Sequence, residues 1–279
     1  MNHAELFQKI TQKKEFSQLP KKDVELAFEK FDKDQYGDEE KVKLTRDLLR
    51  KVFSVFTSQK ILNIKDRDED AKSKRILRRP KLNPKFNSNE WILKKHLSTK
   101  ERLPYYEELY SKLLKDFKKS VTIFDLGAGV NGFSYKYLGN VVKNFSYIGI
   151  EAMKQLVDLM NYHFKQEKIN GKAIHESLFE IVKIKKYVKQ VKGAKVIFLF
   201  KTLDSLEMLR RNYSKELLRE LVPLVDLVVV SFATRSLVKR TKFKVKRNWI
   251  VNFIEENFDM LDDFELGSER YLSFRQAST

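Results

Sequence analysis

Along the first third of the chain, apolar positions recur every three or four residues: Val24, Phe28 and Phe31 in one stretch, Leu48, Val52, Val55 and Phe56 in another. That spacing lines one face of an α-helix and does not suit the two-residue alternation of a half-buried strand. Residues 1–95 are therefore expected to form a helical bundle. Pro20 stands where a proline opens a helix, since its fixed φ suits the first turn and its missing N–H has no intrahelical partner there anyway. Gly37-Asp38 marks the step between two further helices. Past residue 120 the pattern changes to short β-rich apolar runs, VTIFDL, FSYIGI, GKAIH, KVIFLF, LVDLVVVSF and FELGSERYLSF, separated by helical stretches. Such alternation predicts an α/β sheet of mostly parallel strands with helices on both faces, and the last two runs lie close enough to pair antiparallel. The expected organisation is an all-α helical domain over residues 1–95 ahead of a Rossmann-like α/β domain over residues 96–279.

Charge changes this picture from a generic α/β protein to one with a polyanionic partner. Lys and Arg total 56 against 38 Asp and Glu, a formal net charge of +18. Nucleic acid and an anionic membrane surface are the usual partners of such an excess, because neutralising each phosphate releases counterions. Residues 66–87 concentrate Lys72, Lys74, Arg75, Arg78, Arg79, Lys81 and Lys85 beside two prolines, which reads equally as a phosphate-contacting segment or a solvated connector. No run approaches the roughly 18 to 20 apolar residues that span a bilayer, and the first residues are too charged for a signal peptide, so a cytoplasmic protein is expected. The chain has no cysteine, which excludes disulfides, zinc–thiolate sites and thiol nucleophiles. Its four histidines, His3, His96, His163 and His175, lack metal-ligand spacing, so no metal is expected.

Candidate chemistry begins where the run VTIFD enters Leu126-Gly127-Ala128-Gly129-Val130-Asn131-Gly132. A glycine-rich turn at a strand's carboxyl end lets backbone amides approach a ligand closely, and by itself suits NAD as well as S-adenosylmethionine. Three acids favour the methyl donor. Asp125 precedes the turn, placed to order it and to face the donor's amino-acid end. Glu151 ends the second run, where an acid accepts from ribose hydroxyls. Glu176 follows the third, within reach of an adenine edge. Gly127, Ala128 and Gly129 complete the expected cradle, with Phe200 at the end of the fourth run.

Four further segments make the sequence resemble the 16S ribosomal RNA guanine-N7 methyltransferases of aminoglycoside resistance and their archaeal relatives. His96-Leu97-Ser98-Thr99-Lys100-Glu101-Arg102-Leu103 is similar to that family's His-Ala-Ser-Thr-Arg-Glu-Arg-Leu segment. The resemblance implies that Thr99 and Arg102 contact the donor, Arg102 through its carboxylate; without it, Ser98, Thr99 and Glu101 read as an ordinary helix cap. Phe200-Lys201-Thr202-Leu203-Asp204-Ser205-Leu206-Glu207 resembles the family's Leu-Lys-Thr-Leu-Pro-Cys-Leu-Glu, with Asp204 for the proline and Ser205 for the cysteine. Lys201 and Glu207 are retained and are the implied catalytic residues. Val229-Val230-Ser231-Phe232-Ala233-Thr234-Arg235-Ser236-Leu237 matches a third family segment, with Ala233 replacing a proline. It leads into Lys239, Arg240, Lys242, Lys244, Lys246 and Arg247, interleaved with Phe243 and Trp249. Basic and aromatic residues together suit RNA, and Arg235, Lys239, Arg240, Lys244 and Arg247 join Arg75, Arg78 and Arg79 as candidate RNA contacts. Gly267-Ser268-Glu269-Arg270-Tyr271 resembles the family's closing hairpin, and the helical residues 1–95 resemble its RNA- and ribosome-docking domain.

The resemblance implies methylation of one base in the decoding region of 16S ribosomal RNA, within the small ribosomal subunit. Guanine N7 has an exposed lone pair and needs no deprotonation, so positioning suffices and the lack of a thiol is no obstacle. Cytidine N4 in the same region, and a non-catalytic RNA-binding assembly factor, remain the alternatives.

Overall fold

The computed structural model describes residues 2–58, 61, 89–234 and 247–277. Three helices open the chain: α1 (His3–Thr11), α2 (Lys21–Glu29) and α3 (Asp38–Leu49), the last running into a π-helical turn, Arg50–Ser54. A capping box starts α1, Asn2 accepting from the Glu5 N–H while Glu5 accepts from that of Asn2. Pro20 and Gly37 stand immediately before α2 and α3, as their residue types predict. Val24, Phe28 and Val52 are buried, but Val55 is 51% exposed. The wider π turn shifts the phase of the apolar stripe, carrying Val55 off the face that a regular helix would give it.

The α/β part contains seven strands: β1 (Ser120–Leu126), β2 (Asn144–Glu151), β3 (Gly171–His175), β4 (Ala194–Phe200), β5 (Leu227–Ala233), β6 (Asp259–Leu266) and β7 (Glu269–Arg275). They form one sheet in the order β3-β2-β1-β4-β5-β7-β6. The first five are parallel, and β7 inserts antiparallel between β5 and β6. The run FELGSERYLSF contains the tight turn of this β6–β7 hairpin, at the Gly267-Ser268 that the sequence marked as a hairpin. β1 and β4 are buried along nearly their whole length, as near-continuous apolar runs in a sheet covered on both faces should be. β1 pairs with β2 on one side and β4 on the other, so the chain order reverses there and a crevice opens at the strands' carboxyl ends.

The remaining helices are α4 (Asn89–Lys95), α5 (Leu97–Arg102), α6 (Tyr106–Leu114), α7 (Tyr135–Val141), α8 (Lys154–Gln166), α9 (Ile181–Gln190), α10 (Leu203–Leu209), α11 (Tyr213–Leu221) and α12 (Asn248–Asn257). Both α2 and the π turn pack on α10, so the opening helices lie over the carboxyl end of the sheet. On the helical side of the expected boundary at residue 95, α4 packs instead on the turn Asn131–Ser134 that follows the glycine segment. Buried apolar side chains from Leu6 to Phe274 form one cluster. No helix among the described residues is long and apolar enough to cross a membrane.

Gly267 makes the β6–β7 turn possible. Its φ is +64, and a Cβ there would stand 2.5 Å from the Tyr105 ring. Gly267→Ala is expected to destabilise the protein by about 1–3 kcal/mol through left-handed strain and displacement of Tyr105, measured as a lower urea midpoint at unchanged m-value.

Candidate active site

Two buried carboxylates hold the glycine turn from below. Asp125, the penultimate residue of β1, accepts from Asn131 Nδ2 at 2.7 Å and from the Tyr147 hydroxyl at 2.6 Å. Glu151, the last residue of β2, accepts from Gly129 N and Met153 N, both at 2.8 Å. Burial pushes both carboxyls above their ordinary pKa, while these hydrogen bonds oppose the shift. Gly127 and Gly129 have φ of +75 and +54, and a Cβ on either would come within 2.8 Å of Thr202 or His96 respectively. The glycines are thus required as much by neighbouring motifs as by any ligand: the turn is clamped between the segment starting at His96 and the one starting at Phe200.

Arg102, at the end of α5, is the hub of the site. It is 2% exposed, and its guanidinium donates to Asn131 Oδ1 at 3.2 Å, Ser98 Oγ at 3.0 Å and Glu269 Oε1 at 2.9 Å. It also lies 4.4 Å from the centre of the Phe200 ring. Burial lowers its pKa, but Glu269 together with Tyr271 and Tyr106 holds the cation well above its ordinary range. The converse holds for Glu269: burial raises its pKa, and Arg102 with Lys201 brings it below the usual carboxylate value. Glu269 also accepts from the Ser231 hydroxyl. Lys201 ends this network, its ammonium 2.5 Å from Glu101 and 3.3 Å from Glu269. Its backbone has φ +57, a conformation that costs a side-chain-bearing residue about 1–3 kcal/mol and clusters at functional sites.

Above the turn lies a cavity with one apolar wall, including Phe53, Phe56, Leu178 and Phe179, and a polar floor. The expected Thr99, Arg102, Asp125 and Glu151 line it, as do Gly127, Ala128, Gly129, Phe200 and Lys201. Four buried polar atoms on lining residues lack a hydrogen-bond partner: Asp23 Oδ2, Thr57 Oγ1, His96 Nδ1 and Arg102 Nε. His96 is held neutral, its pKa depressed from 6.5 to about 3 by burial and then by Arg102 and Lys201. Asp23, from α2, moves the opposite way, from 3.8 to about 7, through burial, with Ser177 opposing and Glu151 adding to the rise.

Three expected site residues fall elsewhere. Glu176 is not among the residues lining the cavity; it pairs at 3.2 Å with Lys183, a cation seven residues on, in the first turn of α9. Glu207 accepts from the backbone N–H of Asn212 and Ser214 at 2.6 and 2.8 Å, fixing the start of α11 rather than facing the cavity. Arg247 is bidentate to Asp204, with contacts of 2.7 and 3.1 Å, and donates to the Ala233 carbonyl at 3.0 Å. It anchors the end of the basic loop to α10, so its guanidinium is engaged within the protein. Thr99 lines the cavity, but its hydroxyl donates to the carbonyls of Leu93 and His96 at 2.7 and 3.1 Å, joining α4 to α5. The ordinary helix-cap reading also fails here, since α5 has no side-chain cap. Arg75, Arg78, Arg79, Arg235, Lys239, Arg240 and Lys244 lie outside the described residues.

The sequence reading missed Asp23, Asn131, Tyr147 and Glu269. Asp23 alone carried a signal: three and four residues before Leu26 and Ala27, it occupies the apolar face of α2.

Glu269→Ala should cost about 3–5 kcal/mol in urea unfolding, because it leaves Arg102 and Lys201 buried without their shared anion. Combining it with Arg102→Met should cost less than the sum of the two single changes. Asp23 and His96 give opposite pH dependences. Between about 4 and 7 the folded state keeps the Asp23 proton that the unfolded chain releases, so this contribution is lost as pH rises. Between 6.5 and about 3 the unfolded chain takes up a proton that folded His96 refuses, so that contribution is lost as pH falls. Relative to the parent, Asp23→Asn should therefore gain stability from pH 4.5 to 6.5 and His96→Gln should lose it, each by at most about 1.4 kcal/mol per pH unit.

Residues 84–260 match the family model described as ribosomal RNA methyltransferase (FmrO). Among curated proteins, the 16S rRNA (guanine(1405)-N(7))-methyltransferase of Micromonospora rosea is 26% identical over 149 residues, covering 53% of this chain and 50% of that protein. The enzyme of the same name from Frankia casuarinae is 28% identical over 147 residues, covering 53% and 49%. The match thus spans about half the length of these relatives. Among solved structures, 16S rRNA methyltransferase RmtF in complex with S-adenosyl-L-homocysteine superposes with a TM-score of 0.74 at 18% identity, over 99% of this chain and 100% of that one. The 16S rRNA methylase RmtB gives 0.71 at 17% identity, over 99% of each. The seven-stranded sheet and the helices before it are therefore the fold of these methyltransferases, and with the family model spanning more than half its length, the chain belongs to the FmrO family of ribosomal RNA methyltransferases.

Proposed function

We propose that the protein transfers a methyl group from S-adenosylmethionine to one base in the decoding region of 16S ribosomal RNA, within the small ribosomal subunit in the cytoplasm, with guanine N7 as the acceptor. The observation that carries this reading is the cavity at the carboxyl ends of β1, β2 and β4, where the anchored glycine turn meets a polar floor and an apolar wall. That combination fits a ligand with a flat apolar base and a polar, charged tail. The unpartnered atoms of Asp23, Thr57, His96 and Arg102 are groups a polar ligand would satisfy. RmtF, of the same fold, holds S-adenosyl-L-homocysteine, and the curated relatives are named for guanine N7 methylation.

Gly127, Ala128 and Gly129 would hold the amino-acid end of the donor and Glu151 its ribose, with Arg102 Nε left to meet a carboxylate. When bound, the donor supplies an electrophilic methyl group: the bond from N7 to carbon forms as the bond to sulfur breaks, and sulfur keeps the electron pair. The protein then has only to align the base, since N7 needs no general base. Lys201, just after β4 and paired with Glu101 and Glu269, lines the same cavity and is the residue we assign to position the base. The net charge of +18 suits a phosphate backbone, and the basic residues from Arg235 to Lys244 are those we assign to grip an extruded base.

Calorimetry is expected to show S-adenosylhomocysteine binding with no binding of NAD. With labelled S-adenosylmethionine and small subunits lacking the modification, mass-spectrometric mapping should place the label on one guanine as 7-methylguanosine. Label on a cytidine would replace the acceptor, and no label on any RNA would overturn the reading. Exchanging Arg235 and Arg240 for Glu should reduce RNA methylation at least a hundredfold, as expected for reversing two phosphate contacts, while leaving donor affinity unchanged.

A further inference from the structure

The donor cavity is not built from the α/β sheet alone. Asp23 belongs to α2, in the opening helical segment, yet its carboxyl lies among the cavity-lining residues, 2% exposed, with Oδ2 unpartnered. An acid in that state is costly unless something supplies a donor. Its neighbours fix where along the cavity it lies: the Ser177 hydroxyl just after β3 and the carboxylates of Glu151 and Glu176 at the ends of β2 and β3. These ends lie on one side of β1 in the sheet, and Lys201 follows β4 on the other.

A donor whose sulfonium faces Lys201 and whose ribose meets Glu151 must therefore extend its base toward Asp23. Leu178 and Phe179 offer that base an apolar wall. Glu176, the acid that sequence position assigns to the adenine edge, is turned to Lys183, and both oxygens of Glu151 already accept from backbone N–H groups. An acceptor is needed at the base; Asp125, whose two donors both meet Oδ2, sits under the glycine turn at the end of β1, whereas Asp23 offers a buried oxygen without a donor beside the ends of β2 and β3.

We propose that Asp23 recognises the adenine of the methyl donor by accepting a hydrogen bond from its 6-amino group, so that the opening helical segment forms part of the donor site and specifies its base. This inference rests on the donor reading above. It means that the element expected to dock on RNA also completes the cofactor pocket, so displacement of α2 would be felt in donor affinity.

The test is calorimetric binding of S-adenosylhomocysteine and of S-inosylhomocysteine, in which a carbonyl replaces the 6-amino group, to the full chain and two variants. The parent should prefer the adenosyl compound by about tenfold, the size expected for losing one hydrogen bond. Asp23→Ala should abolish that preference, and Asp23→Asn, which keeps an acceptor oxygen, should restore part of it. Neither variant should melt below the parent without ligand at pH 7, because each removes a buried acid with an unsatisfied oxygen; a purely structural Asp23 would do the opposite. An unchanged preference in Asp23→Ala overturns this assignment while leaving the donor reading intact. Failure of the parent to bind S-adenosylhomocysteine overturns both.

Discussion

A guanidinium sealed from water must be surrounded by acceptors, and that requirement on Arg102 organises the site. Its partners come from α5, from the turn after the glycine segment and from the far hairpin: Ser98, Asn131 and Glu269. These elements are far apart in sequence, and Glu269 is 167 residues away. Because a buried charge left unpaired costs several kcal/mol, the geometry that satisfies Arg102 also fixes where the three elements lie. The antiparallel insertion of β7 beside β5 follows the same logic, since it carries Glu269 to the sheet's carboxyl end, where Ser231, Arg102 and Lys201 converge on it.

Around this hub the motif segments pack against one another. Thr202 and His96 press on Gly127 and Gly129 from opposite segments, leaving no room for a Cβ. The Thr202 hydroxyl donates to the carbonyl of Leu126, tying the end of β4 to the end of β1. A glycine turn so confined is preorganised: its amides are aimed before any ligand arrives, which lowers the ordering cost of binding. The two carboxylates beneath it serve that confinement through Asn131, Tyr147 and the N–H groups of Gly129 and Met153.

The acids of the site thus divide by what surrounds them. Asp125 and Glu151 have backbone or side-chain donors supplied by the fold. Glu207 and Glu176 are taken up by a helix start and by a lysine. Asp23 keeps an oxygen without a donor, and it comes from the part of the chain that sequence assigned to a separate unit. The single apolar cluster that joins the opening helices to the sheet explains why such a residue can reach the cavity.

Periodicity alone was enough for the helical opening, the parallel core of the sheet and the glycine turn at the end of β1, because these are local consequences of where apolar side chains and glycines fall. Pro20 and Gly37 marked helix starts for the same reason. The hairpin β6–β7 was half legible: its glycine was visible, but its place between β5 and the sheet edge depends on long-range pairing that no local pattern encodes. Residue types at strand ends pointed to Asp125 and Glu151, and the resemblance to Lys201, all of which line the cavity, whereas Glu176, Glu207 and Arg247 are paired with other groups of the protein. A charged side chain's role depends on which opposite charge or free N–H the fold brings within about 3 Å, a matter of tertiary proximity rather than spacing. What the sequence determined by itself was therefore the succession of elements and the chemistry available at their ends. Only the tertiary structure decided which of those groups neutralise one another and which are left to meet a ligand, because burial and pairing are properties of the packed chain.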